Sequence, residues 1–185
     1  EFIKRRRLPF VTIDGQTGGD FPVVGIDDRT VAREAMQYVL DLGHRHIAIV
    51  GFGKDPTLAT SSHVEEQRLA GYRDALAGCK PELVETTPVY RADSSIDGGR
   101  KAADEILAAG ARRPTRRSNE RPTANHPQLP TAAQHPQRPA AANHPHVPTA
   151  IVTMSDVLAL GVLERLESEA ISVPEQITIV GFDDI

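Results

Sequence analysis

Polar side chains that form directional hydrogen bonds follow apolar segments at several points of the sequence. They are Asp14, Arg68, Ser155, Asp156 and Asp183, and each lies near the predicted end of a strand or the predicted start of a helix. Carboxylates and a guanidinium group form strong, directional bonds to hydroxyl groups. This combination of residue types predicts a binding site for a sugar-like small molecule or another polyol.

Each of these residues also has a purely structural interpretation. Asp156 is suited to cap the helix that follows it, and Arg68 is suited to a surface ion pair. Phe52 follows an apolar run, and its ring is equally suited to core packing and to stacking on a ligand. The sequence leaves these alternatives open.

The residues that enzymes use for covalent chemistry are not arranged in a recognisable pattern. No nucleophile is paired with a base, no Walker-type phosphate loop occurs, and Gly51-Phe52-Gly53 is too short for a dinucleotide fingerprint. The single cysteine, Cys79, lies in a predicted helix exit and leaves no disulfide within the chain. We therefore expect a binding protein without a cofactor, and no enzyme.

Short apolar segments alternate with amphipathic segments, and the alternation predicts the elements that position the polar residues. Strands are predicted at 10–13, 23–26, 47–50, 84–90, 150–153 and 177–180, and helices at 29–42, 64–77, 97–109 and from 155 or 156 to 168. Asp28 is the predicted cap of the first helix, and Gly51 and Gly110 are predicted to end a strand and a helix. The pattern is typical of an α/β fold with a doubly wound parallel sheet, whose ligands bind at the carboxyl ends of the strands.

Residues 111–148 interrupt this alternation with a segment rich in Pro, Arg, Ala, Asn, Gln and His. A nine-residue repeat starts within it and occupies 124–132, 133–141 and 142–150. Frequent proline and low apolar content predict a disordered insertion on the surface. The repeat also spaces His126, His135 and His144 evenly, but metal ligands normally lie closer together on a rigid frame, so a metal site is the less favoured interpretation.

The net charge of -4 and the sequence pI of about 6.0 bear on the partners of the chain. Surfaces that bind nucleic acid are usually basic, so we do not expect this chain itself to contact DNA. The basic run at 4–7 is interpreted as a solvated segment before a strand. No apolar run approaches the roughly 18 residues that span a membrane, and no signal peptide is visible, so a cytoplasmic protein without membrane contact is expected.

In combination, the motifs resemble the effector domain of the LacI/GalR family of bacterial transcription regulators. The resemblance covers nearly all of the chain outside 111–148, and it rests on Leu8–Asp14, Val24–Asp28, Leu42–Ile47, Arg68–Tyr72, Ser155–Gly161 and Gly181–Asp184. It implies a lobe like those of periplasmic sugar-binding proteins, with an effector bound by Asp14, Arg68 and Asp183. Family members often have Asn where this chain has Ser155, whose side chain has a shorter reach.

The resemblance also implies a domain organisation. Residues 1–20 would form the last part of the N-terminal lobe and the crossover, and residues 21–110 and 149–185 would form the C-terminal lobe. The intact regulator would be a homodimer that contacts operator DNA through an N-terminal head absent from this chain. The alternative is a periplasmic-type sugar-binding protein of the same fold.

Overall fold

The computed structural model of the protein describes residues 9–13, 22–53, 63–112 and 147–184. Asp14 lies outside these ranges. So does almost all of the repeat region, including His126, His135 and His144, and the prediction that this insertion is disordered therefore lies outside the described residues.

Strands and helices alternate along the described chain as the apolar pattern predicts. The strands are β1 (Thr12–Ile13), β2 (Val23–Val24), β3 (Ile47–Phe52), β4 (Val89–Ala92), β5 (Ala150–Thr153) and β6 (Thr178–Val180). The helices are α1 (Asp28–Asp41), α2 (His63–Cys79), α3 (Glu82–Thr86), α4 (Ile96–Arg112) and α5 (Asp156–Ser168).

Four of the strands form one parallel sheet in the order β4-β3-β5-β6. In the register of the central strands, Ile47 lies opposite Ala150 and Ile49 lies opposite both Val89 and Val152. The short strands β1 and β2 pair in parallel as a separate two-stranded ribbon, with Thr12 opposite Val23. The division of the chain into lobes at residue 20 stays a prediction.

Helices cover both faces of the four-stranded sheet, which confirms the doubly wound α/β architecture. Alternate residues of a strand point to opposite faces, so Ile49 packs in a cluster with side chains of α1, α2 and α3, and Ala48 in a second cluster with side chains of α4 and α5. The innermost residues of β3 and β5 are fully buried. Continuous apolar strands of this kind are stable because both faces are covered.

The predicted ends of a strand at Gly51 and of a helix at Gly110 are wrong. Each glycine instead allows a neighbouring side chain to pack closely against the backbone. Gly51 does not end β3, which continues through Phe52; a Cβ at position 51 would lie 3.2 Å from the sulfur of Met154. Gly110 does not end α4, which continues to Arg112. A helix continues through glycine at a modest cost when its flanking residues are held in place.

The strand predicted at 84–90 is also partly wrong. Residues 82–86 form the short helix α3, and the strand β4 begins only at Val89 and extends to Ala92. Leu83 is buried in the first core cluster and Val84 packs against it. Tertiary packing of these two residues therefore outweighs the local preference for a strand.

Candidate functional site

The carboxyl ends of the four parallel strands meet at one edge of the sheet, called here the carboxyl edge. Helix α2 lies against this edge with Glu65, Arg68 and Tyr72 on its buried face, at the three- and four-residue spacing of adjacent helical turns. The Arg68 side chain is 8% exposed, so its guanidinium group is held inside the protein.

Arg68 connects three separate segments of the chain. Its Nε donates to Oδ1 of Asp28 at 2.8 Å, its Nη2 donates to Oδ1 of Asp183 at 3.1 Å, and its Nη1 donates to the carbonyl oxygen of Met154. The guanidinium carbon lies 3.7 Å from the ring centroid of Phe182, a cation–π distance. One side chain thus joins the start of α1, the end of β5 and the loop after β6.

Asp28 is the site residue that the sequence interpretation missed. We predicted it as a helix cap, but the cap of α1 is Asp27, whose side chain accepts from the backbone N–H of Thr30 at 3.1 Å. Asp28 is buried in the first turn of α1 and binds Arg68. Two consecutive aspartates before a helix were the available signal, because only one of them is needed as a cap.

Asp183 lies in the loop that follows β6, and its side chain is 39% exposed. Asp183 and Asp184 both have positive φ values, of 115° and 64°. Such backbone conformations are costly for residues other than glycine and occur preferentially at functional sites. Asp183 therefore combines a bond to the buried Arg68 with a carboxylate that solvent, or a ligand, reaches.

Ser155 and Asp156 connect this loop to α5. The Ser155 side chain is buried and caps α5, accepting from the backbone N–H of Leu158 at 3.4 Å. The backbone N–H of Asp156 donates to the carbonyl oxygen of Phe182 at 2.8 Å, and a Cβ at Gly181 would lie only 2.0 Å from Oδ1 of Asp156. The loop after β6 is therefore packed closely against the start of α5.

A second ion pair lies at the ends of β3 and β4. Glu65 is 3% exposed and pairs with Arg91 of β4, whose Nη1 also donates to the carbonyl oxygen of Phe52 at 3.0 Å. The Phe52 ring is half-buried and packs against both core clusters, in keeping with the core-packing interpretation. The sequence could have identified Glu65 as a site residue, because it lies three residues before Arg68 and therefore on the same face of the helix.

Tyr72 lies beneath the Arg68 network. Its hydroxyl group donates to the carbonyl oxygen of Thr153 at 3.3 Å, and the Thr153 hydroxyl donates to the carbonyl oxygen of Ser155 at 2.8 Å. Burial raises the pKa of the Tyr72 phenol well above its ordinary value, since the charged form would lose its hydration. The end of β5 is thus held by two side chains of α2, Tyr72 at the Thr153 carbonyl and Arg68 at the Met154 carbonyl.

The structure therefore unites part of the predicted site. Arg68 and Asp183 are in direct contact, and Ser155 and Asp156 adjoin them through the loop after β6. Phe52 belongs to the neighbouring Glu65–Arg91 pair, and Asp14 lies outside the described residues.

Two cavities of about 560 and 600 Å³ share Pro148 in their linings and lie at the opposite edge of the sheet. Within the described ranges, no three His, Cys, Asp or Glu side chains come together as metal ligands. No helix in that part of the chain has the length and apolar character needed to span a membrane.

Comparison with known proteins assigns the chain to a family. The model of the family described as "Periplasmic binding protein-like domain" matches residues 36–185. The HTH-type transcriptional repressor CytR of Escherichia coli is 27% identical over 184 residues, which are 98% of this chain and 42% of the repressor. The chain thus spans less than half the length of this relative.

Solved structures of LacI-family regulators have the same fold. A LacI family transcriptional regulator from Enterococcus faecium with bound ribose has a TM-score of 0.69 at 22% identity, over 99% of this chain and 52% of that protein. A regulator from Lactobacillus casei with bound glucose has a TM-score of 0.62 at 19% identity, over 94% of this chain and 51% of that protein.

The relatives described above are regulators. LacI-family regulators are not enzymes, which agrees with the prediction of a non-enzymatic protein. The matched family model covers most of the chain and agrees with the parallel sheet described above, so the chain belongs to the periplasmic binding protein-like domain family.

Proposed function

We propose that the chain binds a hydroxyl-rich small molecule, such as a sugar, at the carboxyl edge and that this binding controls the activity of a transcription regulator. The observation that carries the proposal is Asp183, a partly exposed carboxylate that the buried Arg68 holds in place. A fixed acceptor is what directional recognition of a sugar hydroxyl requires. The regulators solved with bound ribose and bound glucose support this class of ligand.

Arg68 would contribute through its guanidinium group. Three of the five N–H groups of a guanidinium are used for Asp28, Asp183 and the Met154 carbonyl. Arg68 therefore acts mainly as the positioning residue for Asp183, and its other two N–H groups have no hydrogen-bond partner among the described residues. Ser155 positions the start of α5 in the same way, since its hydroxyl is used as the helix cap.

The mechanism we propose is a shift of population. A ligand that bridges the carboxyl edge to a second lobe stabilises one arrangement of the two lobes over others. In a dimeric regulator this shift would change how the DNA-binding heads are presented to the operator. Names such as transcriptional repressor among the relatives favour this role over that of a periplasmic sugar-binding protein.

The test is calorimetric titration of the chain with a panel of neutral sugars, beginning with ribose and glucose. The Asp183→Ala variant should bind the sugar that the wild type binds at least about tenfold more weakly, because a hydrogen bond to a charged group contributes about 1.5–3 kcal/mol. Glu175→Ala removes a carboxylate at the opposite edge and should leave the affinity unchanged. Equal affinity of wild type and Asp183→Ala would disprove the assignment of the site.

A further inference from the structure

The charge distribution at the carboxyl edge points to a selectivity among effectors. We propose that the site takes effectors without a negative charge, so that it binds a neutral sugar and rejects the phosphorylated or carboxylated form of that sugar. This inference rests on the proposed function, because it concerns the ligand of the same site.

The first argument is that the positive charges at the edge are already neutralised. Arg68 pairs with two carboxylates, Asp28 at 2.8 Å and Asp183 at 3.1 Å. Arg91 pairs with the buried Glu65. An anionic ligand would have to compete with these carboxylates for the two positive charges, and Asp28 or Glu65 left buried without its partner is strongly unfavourable.

The second argument concerns the starts of the helices, which are the usual sites for a phosphate. The backbone N–H groups at a helix N-terminus carry a partial charge of about +0.5 and attract anions. Here each of the four long described helices has a carboxylate of its own in the first turn. These residues are Asp28 in α1, Glu65 and Glu66 in α2, Asp97 in α4 and Asp156 in α5. The protein therefore supplies internally the negative charge that a phosphate would bring.

The third argument is the resulting surplus of charge. The two guanidinium groups of Arg68 and Arg91 pair with the three carboxylates of Asp28, Asp183 and Glu65, and two more carboxylates lie at the loop after β6, Asp156 against Gly181 and Asp184 next to Asp183. Among these seven groups, the formal surplus is three negative charges. Carboxylate oxygens accept hydrogen bonds from hydroxyl groups, so a neutral polyol is matched in hydrogen bonding while an anion is repelled.

The experiment compares matched ligands on the whole chain. Ribose and glucose are titrated beside ribose 5-phosphate and glucose 6-phosphate in a calorimeter at low salt. A neutral sugar that binds should do so at least about tenfold more tightly than its phosphate ester, and added salt should reduce this ratio because it screens the repulsion.

A pair of variants assigns the effect to the edge. Asp184→Asn removes one charge at an exposed residue with positive φ, a conformation that asparagine also adopts. This variant should reduce the ratio between the affinities for the neutral and the phosphorylated sugar several-fold. Glu175→Gln removes one charge at the opposite edge and should leave the ratio as it is in the wild type.

The outcomes separate the inference from the function on which it rests. A phosphate ester that binds as tightly as its parent sugar, or more tightly, overturns the charge selectivity and leaves the sensing function intact. If no sugar, neutral or phosphorylated, binds the chain, the proposed function fails and the inference fails with it. If the ratio of these affinities changes equally in Asp184→Asn and Glu175→Gln, the charge selectivity of the edge is also overturned, because the effect would then arise from net charge alone.

Discussion

At the scale of single residues, Arg68 brings a full positive charge into a place where its side chain is only 8% exposed. Such burial costs several kcal/mol of hydration for each ion, in order of magnitude, and the cost is offset only when every polar contact is made. Asp28, whose side chain is 10% exposed, provides the closest counter-charge. The pair is therefore mutually dependent, and removal of one partner leaves the other uncompensated.

The Arg68→Met variant tests this dependence. It keeps an unbranched apolar stem but leaves Asp28 buried and unpaired, so we expect a loss of about 3–5 kcal/mol in the free energy of unfolding, measured in urea. The matched control is Arg29→Met, which breaks an ion pair with Asp74 whose side chains are 54% and 40% exposed. The control should unfold nearly as the wild type does. Equal losses in both variants would contradict the role of burial.

Tyr72 provides a prediction about alkaline pH. Its pKa is raised by burial, so the folded protein holds the phenolic proton more tightly than the unfolded chain does. The stabilisation is fully present below the ordinary pKa of about 10, and it is lost as the pH rises from there towards the folded-state value.

The Tyr72→Phe variant should therefore lose less stability than the wild type between about pH 10 and pH 11, by up to about 1.4 kcal/mol for each pH unit. At neutral pH it should be destabilised by about 1 kcal/mol, because the bond to the Thr153 carbonyl is lost. Tyr90, whose pKa burial also raises, keeps part of the alkaline effect in the variant. If the free energy of unfolding falls equally with pH in both proteins, Tyr72 does not cause the loss of stability in this pH range.

At the scale of elements, α4 and α5 cross at a pair of glycines. A Cβ at Gly161 would lie 2.0 Å from the carbonyl oxygen of Ile96, and a Cβ at Gly99 would lie 2.3 Å from that of Leu158. The backbones approach so closely that neither helix has room for a side chain at the crossing. The position of α5, and with it the start of the loop that holds Asp183, depends on this contact.

The Gly161→Ala variant should force the two helices apart and lower the free energy of unfolding by about 1–3 kcal/mol. Gly78→Ala is the matched control, because a Cβ at Gly78 in α2 would meet nothing within 4 Å. In that position alanine favours the helix and should stabilise the protein by about 0.5–1 kcal/mol. Urea denaturation measures both changes, and effects of the same sign would refute the close crossing.

At the scale of the whole molecule, one sheet separates two apolar cores. Ile49 belongs to the core under α1, α2 and α3, and Ile106 belongs to the core under α4 and α5. The two cores share the backbone of the central strands, and Phe52 at the end of β3 packs against both. A single cooperative unit with two independent packing layers should result.

Ile49→Val and Ile106→Val test this arrangement. Each removes one buried methylene group and should cost about 0.5–1.5 kcal/mol in the free energy of unfolding. In the double variant the two costs should add to within about 0.5 kcal/mol, because the sites share no contact. A coupling clearly larger than this, in denaturant titrations of all four proteins, would mean that the layers repack together.

The sequence alone determined the fold class and most of the elements. The apolar runs at Ile47–Val50 and Ala150–Thr153 are unambiguous, because continuous apolar strands between amphipathic helices fit a parallel sheet covered on both faces. The cap of α5 at Ser155 was also predictable, because capping is a local interaction. The motifs that contain Arg68 and Asp183 identified the family before any geometry was known.

Only the tertiary structure decided how the polar residues are used. Arg68 and Asp183 are separated by more than a hundred positions in the chain, and their contact exists because α2 and the loop after β6 meet at the same edge of the sheet. The partners Asp28 for Arg68 and Arg91 for Glu65 are set by burial, which no local pattern of charges encodes. Local propensity fixes which residues form helices and strands, whereas long-range packing fixes which charges are desolvated together, and the site depends on the latter.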